Sequence, residues 1–352
     1  MRVLITGGCG FIGSHLAVHF AEKGHRVVAM DNLVRRGSEG NIATLRKRGV
    51  EFVHGDVRNP EDFANLPAGI EFVCDASAHP SVVTGYANPF YDLSNNAFGV
   101  VRVLEFARAQ RCPLIFFSSN RVYNADLMAA LPRRESESRL LWDAAAWENM
   151  APAKRAAGFD PAAGISEDFS VDGGQHSIYG LSKLMADLAC QEYARAYDMP
   201  VVVNRFGVIS GAGQFGKTEQ GWLAWWALAH WFGLPLKYIG WKGKQVRDIL
   251  FVDDVCALAD LQVRQIERLR GEVFNVGGGP ANSLSLREAT AEMQKRTGRS
   301  AAVAEEPAPR KADVPVYFTD NRKVEKFFGW KPRTSLDAGI EQVLVWIREN
   351  ER

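Results

Sequence analysis

The stretch Thr6-Gly7-Gly8-Cys9-Gly10-Phe11-Ile12-Gly13 joins an apolar run, Arg2–Thr6, to an amphipathic run, Phe11–Lys23. The first run predicts a buried β-strand and the second predicts a helix. The glycines recur at every third position from Gly7, which permits a tight turn and a close approach of the backbone to a pyrophosphate. The N-terminus of the helix would hold that negative charge. We therefore predict dinucleotide contacts at Gly7, Gly10, Phe11, Ile12 and Gly13.

An acidic residue stands where such a site needs one. Asp31 ends a second predicted strand, Arg26–Met30, and follows the glycine loop by about 20 residues. Its carboxylate would accept hydrogen bonds from the adenosine ribose and repel a 2′-phosphate, which favours NAD over NADP, although Arg35 and Arg36 could accommodate a phosphate. Asp56 follows a third predicted strand and is expected to meet the adenine edge, with a helix N-cap as its alternative role.

Apolar and amphipathic runs alternate through the first 206 residues. The other predicted strands and helices are Glu51–His54, Glu71–Ala76, Leu93–Ala109 (helix), Leu114–Ser118, Ser182–Tyr197 (helix) and Val201–Phe206. Strands separated by helices predict an α/β fold with a doubly wound, parallel sheet of the Rossmann type. We expect residues 1–206 to form a nucleotide-binding domain. Residues 207–352 are expected to form a smaller α/β substrate lobe, with 249–276 returning to the main sheet.

Residues 124–176 interrupt this alternation. The segment is rich in alanine, carries Arg-Arg-Glu-Ser-Glu-Ser-Arg at 133–139 and shows no strong strand pattern. Excursions of this length within a compact domain are typically lids, binding loops or disordered segments. We interpret it as a partly helical excursion from the first domain, with a lid as the candidate role.

Tyr179 and Lys183 stand four residues apart at the start of a predicted helix, a spacing that places both on one face. A phenol has a pKa near about 10, and a nearby ammonium favours the phenolate. Tyr179 could then remove a hydroxyl proton while hydride leaves the same carbon. Ser119 would lie at the carboxyl end of its strand and bond the same hydroxyl, with a turn or cap as its alternative role.

Composition excludes several classes of protein. The 352 residues include 42 basic and 41 acidic side chains, with 47% hydrophobic and 24% charged residues. These values are typical of a globular protein, and the net charge of +1 argues against a nucleic-acid partner. Five cysteines without a Cys-x-x-Cys spacing indicate reduced thiols in a cytoplasmic protein, and no signal peptide or membrane span is predicted. His15 and His19 lack a third ligand, so no metal site is predicted.

Four motifs together carry a family resemblance. They are the glycine loop, Asp31-Asn32-Leu33, Ser-Ser-x-x-Val-Tyr after the fifth strand, and Tyr-x-x-x-Lys. Over nearly the whole chain they resemble the extended short-chain dehydrogenases/reductases, which include nucleotide-sugar epimerases, dehydratases and decarboxylases. The resemblance implies NAD in the first domain and a nucleoside-diphosphate sugar in the second, with Arg247 and Arg310 at the diphosphate. The further cofactor contacts that it implies are Asn32, Val57, Ala76, Ser77, Ala78, Asn96, Ser118 and Phe206.

A closer resemblance is to the CDP-tyvelose (CDP-paratose) 2-epimerases. It is carried by Gln214-Phe215 with Gln220-Gly221-Trp222, Gly243–Asp248 and Asn282–Leu286. Asn120-Arg121-Val122-Tyr123 is similar to that group's Asn-Lys-Val-Tyr. The resemblance implies transient oxidation at C2 of a CDP-hexose and return of the hydride to the other face. The substrate contacts assigned on this basis are Asn120, Arg121, Gln214, Phe215 and Gln220.

The resemblance leaves other activities open. They are 4-epimerisation or decarboxylation of a UDP- or GDP-sugar and, from another class, a non-catalytic NAD(H)-binding sensor. Asn120-Arg121 stands where dehydratases usually carry Asp-Glu, which argues against dehydration. The run Asp75–Pro80 departs from the His-x-Ala-Ala pattern that often lies along the cofactor in this family. The resemblance implies a homodimer, for which helices within Val82–Phe106 and Ser182–Tyr197 could supply the interface.

Overall fold

The computed structural model describes residues 1–351. Within them the strands are, in chain order, β1 (Arg2–Thr6), β2 (Arg26–Asp31), β3 (Glu51–His54), β4 (Phe72–Asp75), β5 (Leu114–Ser119), β6 (Arg133–Glu135), β7 (Leu140–Trp142), β8 (Phe159–Asp160), β9 (Gly164–Ile165), β10 (Val201–Phe206), β11 (Val208–Ser210), β12 (Leu236–Ile239), β13 (Val246–Phe251), β14 (Glu272–Val276), β15 (Ser283–Ser285), β16 (Val303–Glu306) and β17 (Val316–Tyr317). The helices are α1 (Phe11–Glu22), α2 (Asn41–Lys47), α3 (Pro60–Phe63), α4 (Val82–Ala87), α5 (Pro89–Leu93), α6 (Gly99–Gln110), α7 (Ala125–Ala130), α8 (Ala144–Glu148), α9 (Ile178–Ala196), α10 (Trp222–Phe232), α11 (Val252–Gln265), α12 (Leu286–Thr297), α13 (Arg322–Phe328) and α14 (Leu336–Glu349).

The chain divides into two compact units. The first comprises Met1–Val122, Ile178–Arg205 and Val255–Phe274, and the second comprises Tyr123–Ser177, Phe206–Asp254 and the residues from Asn275 onward. This differs from the expected organisation, in which the 124–176 excursion belongs to the first domain. The physical reason is hydrogen bonding within the second unit, because the backbone N–H groups of 140 and 165 donate to the carbonyls of 244 and 318.

The first unit is built on a sheet with the strand order β14-β10-β5-β4-β1-β2-β3. β1 lies between β2 and β4 and is parallel to both, and β2 and β4 are in turn parallel to β3 and β5. The predicted α/β fold with a doubly wound sheet is confirmed. Its core joins strand residues to residues of α6 and α9, among them Leu4, Val73, Phe116, Val103, Leu104, Ala186 and Cys190.

Predicted and observed helices differ at two places in this unit. α9 begins at Ile178, four residues before the predicted start at Ser182, because tertiary packing buries Gly180, Ser182 and Lys183. The predicted helix 93–109 is made of α5, a π-helical turn at Ser94–Phe98, and α6. Tyr179 and Lys183 therefore both lie inside α9, and the π-helical turn carries Asn96.

The second unit contains a separate sheet centred on β13. β13 pairs in parallel with β11 and β17 and antiparallel with β15. Residues 249–276 were expected to return to the main sheet, but only β14 does so, because the partners of β13 are the strands of this second sheet. α10, α12 and α14 contribute apolar residues to its core, and a Cβ on Gly339 would lie 2.1 Å from the Phe251 ring.

The described residues contain no membrane-spanning helix, no cluster of metal ligands and no disulfide. In residues 1–351 no helix combines the length and the apolar character that crossing a bilayer requires. No group of three or more His, Cys, Asp or Glu side chains in that range is arranged to hold a metal ion. All five cysteines lie in the described range, where they are buried and form no disulfide.

Candidate active site

The glycine loop connects β1 to α1 with little space to spare. Gly7 adopts a φ of +66°, and a Cβ there would lie 2.8 Å from the Cα of Ser77. A Cβ on Gly13 would lie 2.1 Å from the carbonyl oxygen of Gly7. The N-cap residue Gly10 makes no side-chain cap bond, and the first turn of α1 has no acidic residue. The backbone shape and the uncapped helix N-terminus fit the pyrophosphate of a dinucleotide.

Asp31 is held beside this loop by backbone donors. Its Oδ2 accepts the N–H of Cys9 at 3.0 Å and its Oδ1 accepts the N–H of Leu33 at 2.8 Å. Each carboxylate oxygen can accept a second hydrogen bond. Asp31 therefore retains the capacity to bind two ribose hydroxyls while staying anchored to the loop.

Asp56 is engaged more fully than its predicted role at the adenine requires. Its Oδ1 accepts the backbone N–H and the Nε of Arg58, each at 2.9 Å, and its Oδ2 accepts Nη2 of Arg58 at 2.5 Å and Nδ2 of Asn32 at 2.9 Å. Burial raises the pKa of Asp56, but the bonds from Arg58 and Asn32 outweigh it and bring the pKa to about 2. The structure thus gives Asp56 a turn-stabilising role.

Asn96 and Ser118, two predicted cofactor contacts, form hydrogen bonds within the protein. The amide of Asn96 donates to the His79 carbonyl at 3.1 Å and to Ser182 Oγ at 3.0 Å, and its oxygen accepts from the backbone N–H of His79 and the side chain of Asn95. The hydroxyl of Ser118 donates to Asp187 at 2.7 Å. These bonds connect the 75–80 run and β5 to α9, and the cofactor contacts of Asn96 and Ser118 stay predictions.

The remaining predicted cofactor residues include several at strand ends. Ser77 Oγ donates to Asp75 at 2.6 Å, and the Ala76 carbonyl would lie 2.9 Å from a Cβ on Gly7. Ala78 is exposed, whereas Val57 is 6% exposed. Phe206 is the last residue of β10, is assigned to the second unit and is 4% exposed. Ala76 and Ser77 therefore line the glycine loop.

Tyr179 and Ser119 are brought together within the first unit. Ser119 ends β5, and its hydroxyl is hydrogen-bonded to Tyr179 of α9. Burial raises the pKa of Tyr179, the bond with Ser119 opposes that rise, Asp92 adds to it, and the positive charge of Arg121 opposes it. The net pKa lies above the ordinary value for a phenol, so Tyr179 needs further positive charge to act as a base.

Lys183 is 1% exposed, with Nζ 4.2 Å from the centroid of the Phe116 ring. Burial lowers the pKa of Lys183 to about 8, and the negative charges of Asp75 and Asp187 oppose this change. Lys183 was expected to supply the charge that favours the Tyr179 phenolate. In this structure the cation that lowers the pKa of Tyr179 is instead Arg121.

The predicted substrate residues are divided between the two units. Asn120 and Arg121 follow Ser119 in a short 3₁₀ turn of the first unit, where the Arg121 N–H donates to Ser119 Oγ at 3.2 Å. In the second unit the segment 214–220 carries Gln214, an exposed Phe215 and Gln220. Arg310 donates to the carbonyl of residue 218 at 3.1 Å, which adds it to this group.

Two residues assigned to the substrate make internal contacts. Arg247 is 9% exposed and donates to Asp313 at 2.7 Å and to the carbonyl of residue 314 at 2.6 Å. Gln214 accepts from Ser210 at 2.9 Å and donates to the carbonyl of residue 209 at 3.0 Å. These bonds connect neighbouring segments of the second unit, which is a structural role that the sequence did not predict.

Sequence reasoning missed two buried carboxylates, Asp187 near Lys183 and Asp92 near Tyr179. Asp187 is fully buried and pairs with Arg205 at 3.0 Å, and its spacing of four residues from Lys183 was a usable signal. Asp92 is fully buried and bonds His79 at 2.7 Å. A Cβ on Gly85 would lie 2.8 Å from Asp92 Oδ2, so this glycine lets α4 approach it. No sequence pattern singled out Asp92.

Comparison with known proteins adds a family and relatives. Residues 3–142 and 154–277 match the NAD dependent epimerase/dehydratase family. CDP-paratose 2-epimerase of Salmonella typhi is 31% identical, over 98% of this chain and 99% of that protein. A putative UDP-glucose 4-epimerase of Methanocaldococcus jannaschii is 27% identical over 99% of both. The crystal structure of UDP-glucuronic acid 4-epimerase from Bacillus cereus, in complex with UDP-glucuronic acid and NAD, has a TM-score of 0.78 at 23% identity over 99% of both chains.

Proposed function

The chain belongs to the NAD-dependent epimerase/dehydratase family, and from this membership we propose that it epimerises C2 of a CDP-hexose. The hydrogen-bonded Ser119–Tyr179 pair, in the same unit as the glycine loop, is the observation that carries the proposal of epimerase chemistry. The choice of C2 and of a CDP-sugar is supported by the 31% identity with CDP-paratose 2-epimerase along nearly the full length of both chains.

NAD is the cofactor of this family, and the residues of the first unit fit it. The loop at Gly7 and Gly13 leaves no room for side chains, α1 begins without a side-chain cap, and Asp31 retains acceptor positions for ribose hydroxyls. Bound there, NAD would supply a reversible acceptor for the hydride of the sugar carbon, so that the reaction would consume no cofactor. Asp31 supports NAD as the preferred form because a carboxylate disfavours a 2′-phosphate.

Tyr179 is assigned as the acid–base residue. Its phenolate accepts the proton of the C2 hydroxyl as that carbon is oxidised, and its hydroxyl donates the proton back when the carbon is reduced on the other face. Ser119 orients the reacting oxygen. Arg121 and Lys183 supply positive charge, and Lys183 is expected to contribute to the Tyr179 equilibrium when the oxidised cofactor adds its own charge.

One alternative has its own support. The 27% identity with a putative UDP-glucose 4-epimerase favours 4-epimerisation of a UDP-sugar, which needs the same Ser119 and Tyr179. The pose of the sugar decides which carbon reacts. A non-catalytic NAD(H)-binding sensor has no need of the Ser119–Tyr179 pair.

We also propose that the protein is a homodimer of the cytoplasm. On α9 the side chains of Leu181, Met185 and Leu188 are 39–49% exposed and recur at helical spacing, and Phe90 and Phe98 on the neighbouring helical segment are 79% and 57% exposed. Burying these side chains against a second copy would remove a large apolar surface from water. Sedimentation of Phe90→Glu/Leu188→Glu should show a monomer, and an unchanged state would contradict this surface.

The reduced, buried cysteines support the cytoplasmic location.

The activity test uses purified protein, NAD and separate samples of CDP-paratose, UDP-glucose and dTDP-glucose in deuterated water, followed by NMR. We expect inversion at C2 of the CDP-sugar without deuterium at C2, because the hydride that leaves is the one that returns. Inversion at C4 of UDP-glucose would select the alternative. Deuterium at C2 would contradict hydride return, and binding of NAD with inertness towards every sugar would favour the sensor.

A further inference from the structure

Asp75 is a fully buried carboxylate at the end of β4. Its Oδ1 accepts three hydrogen bonds, from Thr6 Oγ1 at 2.6 Å, from Ser77 Oγ at 2.6 Å and from the Ser77 N–H at 3.1 Å. Its Oδ2 is buried and has no hydrogen-bond partner among residues 1–351. One oxygen is therefore fixed by neutral donors, while the other retains an uncompensated share of the negative charge.

The strand register puts the Asp75 carboxylate on the same face of the sheet as the Phe116 ring, over which the Lys183 ammonium lies. Asp75 is the register partner of Phe116 on the adjacent parallel strand, so both side chains emerge on the same face of the sheet. Lys183 Nζ lies over the ring of that same Phe116, 4.2 Å from its centroid. Both charged side chains are almost completely withdrawn from water, at 0% and 1% exposure.

The other acidic groups near Lys183 are accounted for. Asp187 accepts four hydrogen bonds, two of them from its ion-pair partner Arg205, so its charge is compensated. Burial raises the pKa of the Cys190 thiol well above its ordinary value, which keeps that group neutral. A buried ammonium is costly unless an opposite charge accompanies it. Asp75 is the acidic group near Lys183 whose charge is not compensated by an arginine.

We propose that Asp75 is a positioning residue that acts through Lys183, because its carboxylate is the counter-charge that keeps this lysine protonated inside the first unit. The inference deepens the proposed function and rests on it for its catalytic meaning: a cationic Lys183 would add to the positive charge of Arg121, which lowers the pKa of Tyr179. Loss of the Asp75 charge would leave Lys183 neutral over part of the working pH range.

The primary experiment measures the protonation of Lys183 directly. Full-length protein labelled with ¹³C-lysine is titrated by NMR, with and without NAD, and the Lys183 Cε signal is identified by its absence in Lys183→Arg. In Asp75→Asn, which keeps the size of the side chain, we expect the midpoint of the Lys183 titration to move to lower pH by about one unit or more. In turnover, the alkaline limb of the pH profile should move in the same direction.

Asp92→Asn is the matched control, because Asp92 is also fully buried with an unpartnered Oδ2 in the same unit. It should leave the Lys183 midpoint within a few tenths of a pH unit of the wild-type value. Equal midpoints in Asp75→Asn and wild type would overturn the proposal. Because the titration needs no substrate, it decides the role of Asp75 even where the proposed epimerisation fails.

A second measurement covers failure of Asp75→Asn to fold. In wild-type protein labelled at the aspartate carboxyl carbon, one buried signal should move as Lys183 titrates, near pH 8. That step should disappear in Lys183→Arg, whose guanidinium stays charged. If no aspartate signal responds to the deprotonation of Lys183, Asp75 is not its counter-charge.

Discussion

The glycine loop of the first unit and the arginine-bearing segments of the second unit were both predicted to meet phosphate groups, and they differ in what the fold leaves available. The first turn of α1 has no side-chain cap and no acidic residue. Arg247, in contrast, is buried and bonded to Asp313 and to a backbone carbonyl. The backbone donors at the start of α1 therefore remain available to a phosphate, whereas the Arg247 guanidinium is bonded within the second unit.

The largest expected effect concerns the base. Tyr179→Phe removes the hydroxyl that accepts and returns the proton, so turnover should fall by roughly 1,000-fold, within the range of general acid–base catalysis. NAD binding, followed by quenching of tryptophan fluorescence, should persist because the glycine loop is unchanged. Turnover within tenfold of wild type would exclude Tyr179 as the acid–base residue.

The binding capacity of the glycine loop is tested by the variant Gly13→Ala. In Gly13→Ala the new Cβ would lie 2.1 Å from the backbone oxygen of Gly7, which cannot move aside cheaply. We expect NAD affinity to fall by roughly 100-fold, which corresponds to the loss of about one or two hydrogen bonds to a charged phosphate. Calorimetric titration with NAD measures it.

Gly40→Ala is the matched control, since a Cβ there meets no atom within 4 Å and the backbone is helical. It should bind NAD like the wild type. Wild-type affinity in Gly13→Ala would mean that the close packing of the loop is not what holds the dinucleotide.

The sequence predicts local features of the chain better than the partners of individual side chains. Strands and helices with strong periodicity were placed within a few residues, and the spacing of Tyr179 and Lys183 was sufficient to put them on one helix. The partners of individual side chains were not predictable, because Asn96 and Arg247 bond residues distant in sequence. For the same reason the sequence pattern did not indicate which unit segment 124–176 joins: its short strands pair locally, but its backbone bonds reach residues beyond 240.

The second region is tested by Arg247→Met. Removing one partner of a buried ion pair leaves Asp313 uncompensated, which costs about 3 kcal/mol. Urea unfolding should show this loss of the free energy of unfolding, while the KM of the correctly folded protein changes little. A normal free energy of unfolding with a large rise in KM would return Arg247 to the substrate site.

Arg310→Met is the companion variant, because Arg310 has a partly exposed side chain and its described hydrogen bond goes to one carbonyl oxygen. We expect KM for the CDP-sugar to rise by about tenfold, the loss of one charge-assisted bond. Its free energy of unfolding should stay within about 0.5 kcal/mol of wild type. The opposite pattern in this pair of variants would reverse the assignment of the two arginines.

The smallest expected effect concerns Asp56 of the first unit, a predicted cofactor residue that is bonded to Arg58 and Asn32. The pKa of Asp56 is about 2 in the folded chain, below the value of about 3.9 in an unfolded one, so the carboxylate stabilises the fold above pH 4 and this contribution is lost as pH falls towards 2. Asp56→Asn should cost about 1 kcal/mol at pH 6, after allowance for solvent screening, and progressively less below pH 4. Urea unfolding between pH 3 and 6.5 measures the difference.

In an Arg58→Met background the difference should become smaller and less dependent on pH, because the bonds from Arg58 are what lower the pKa. A cost that stays constant with pH would show that Asp56 stabilises the turn through its shape alone.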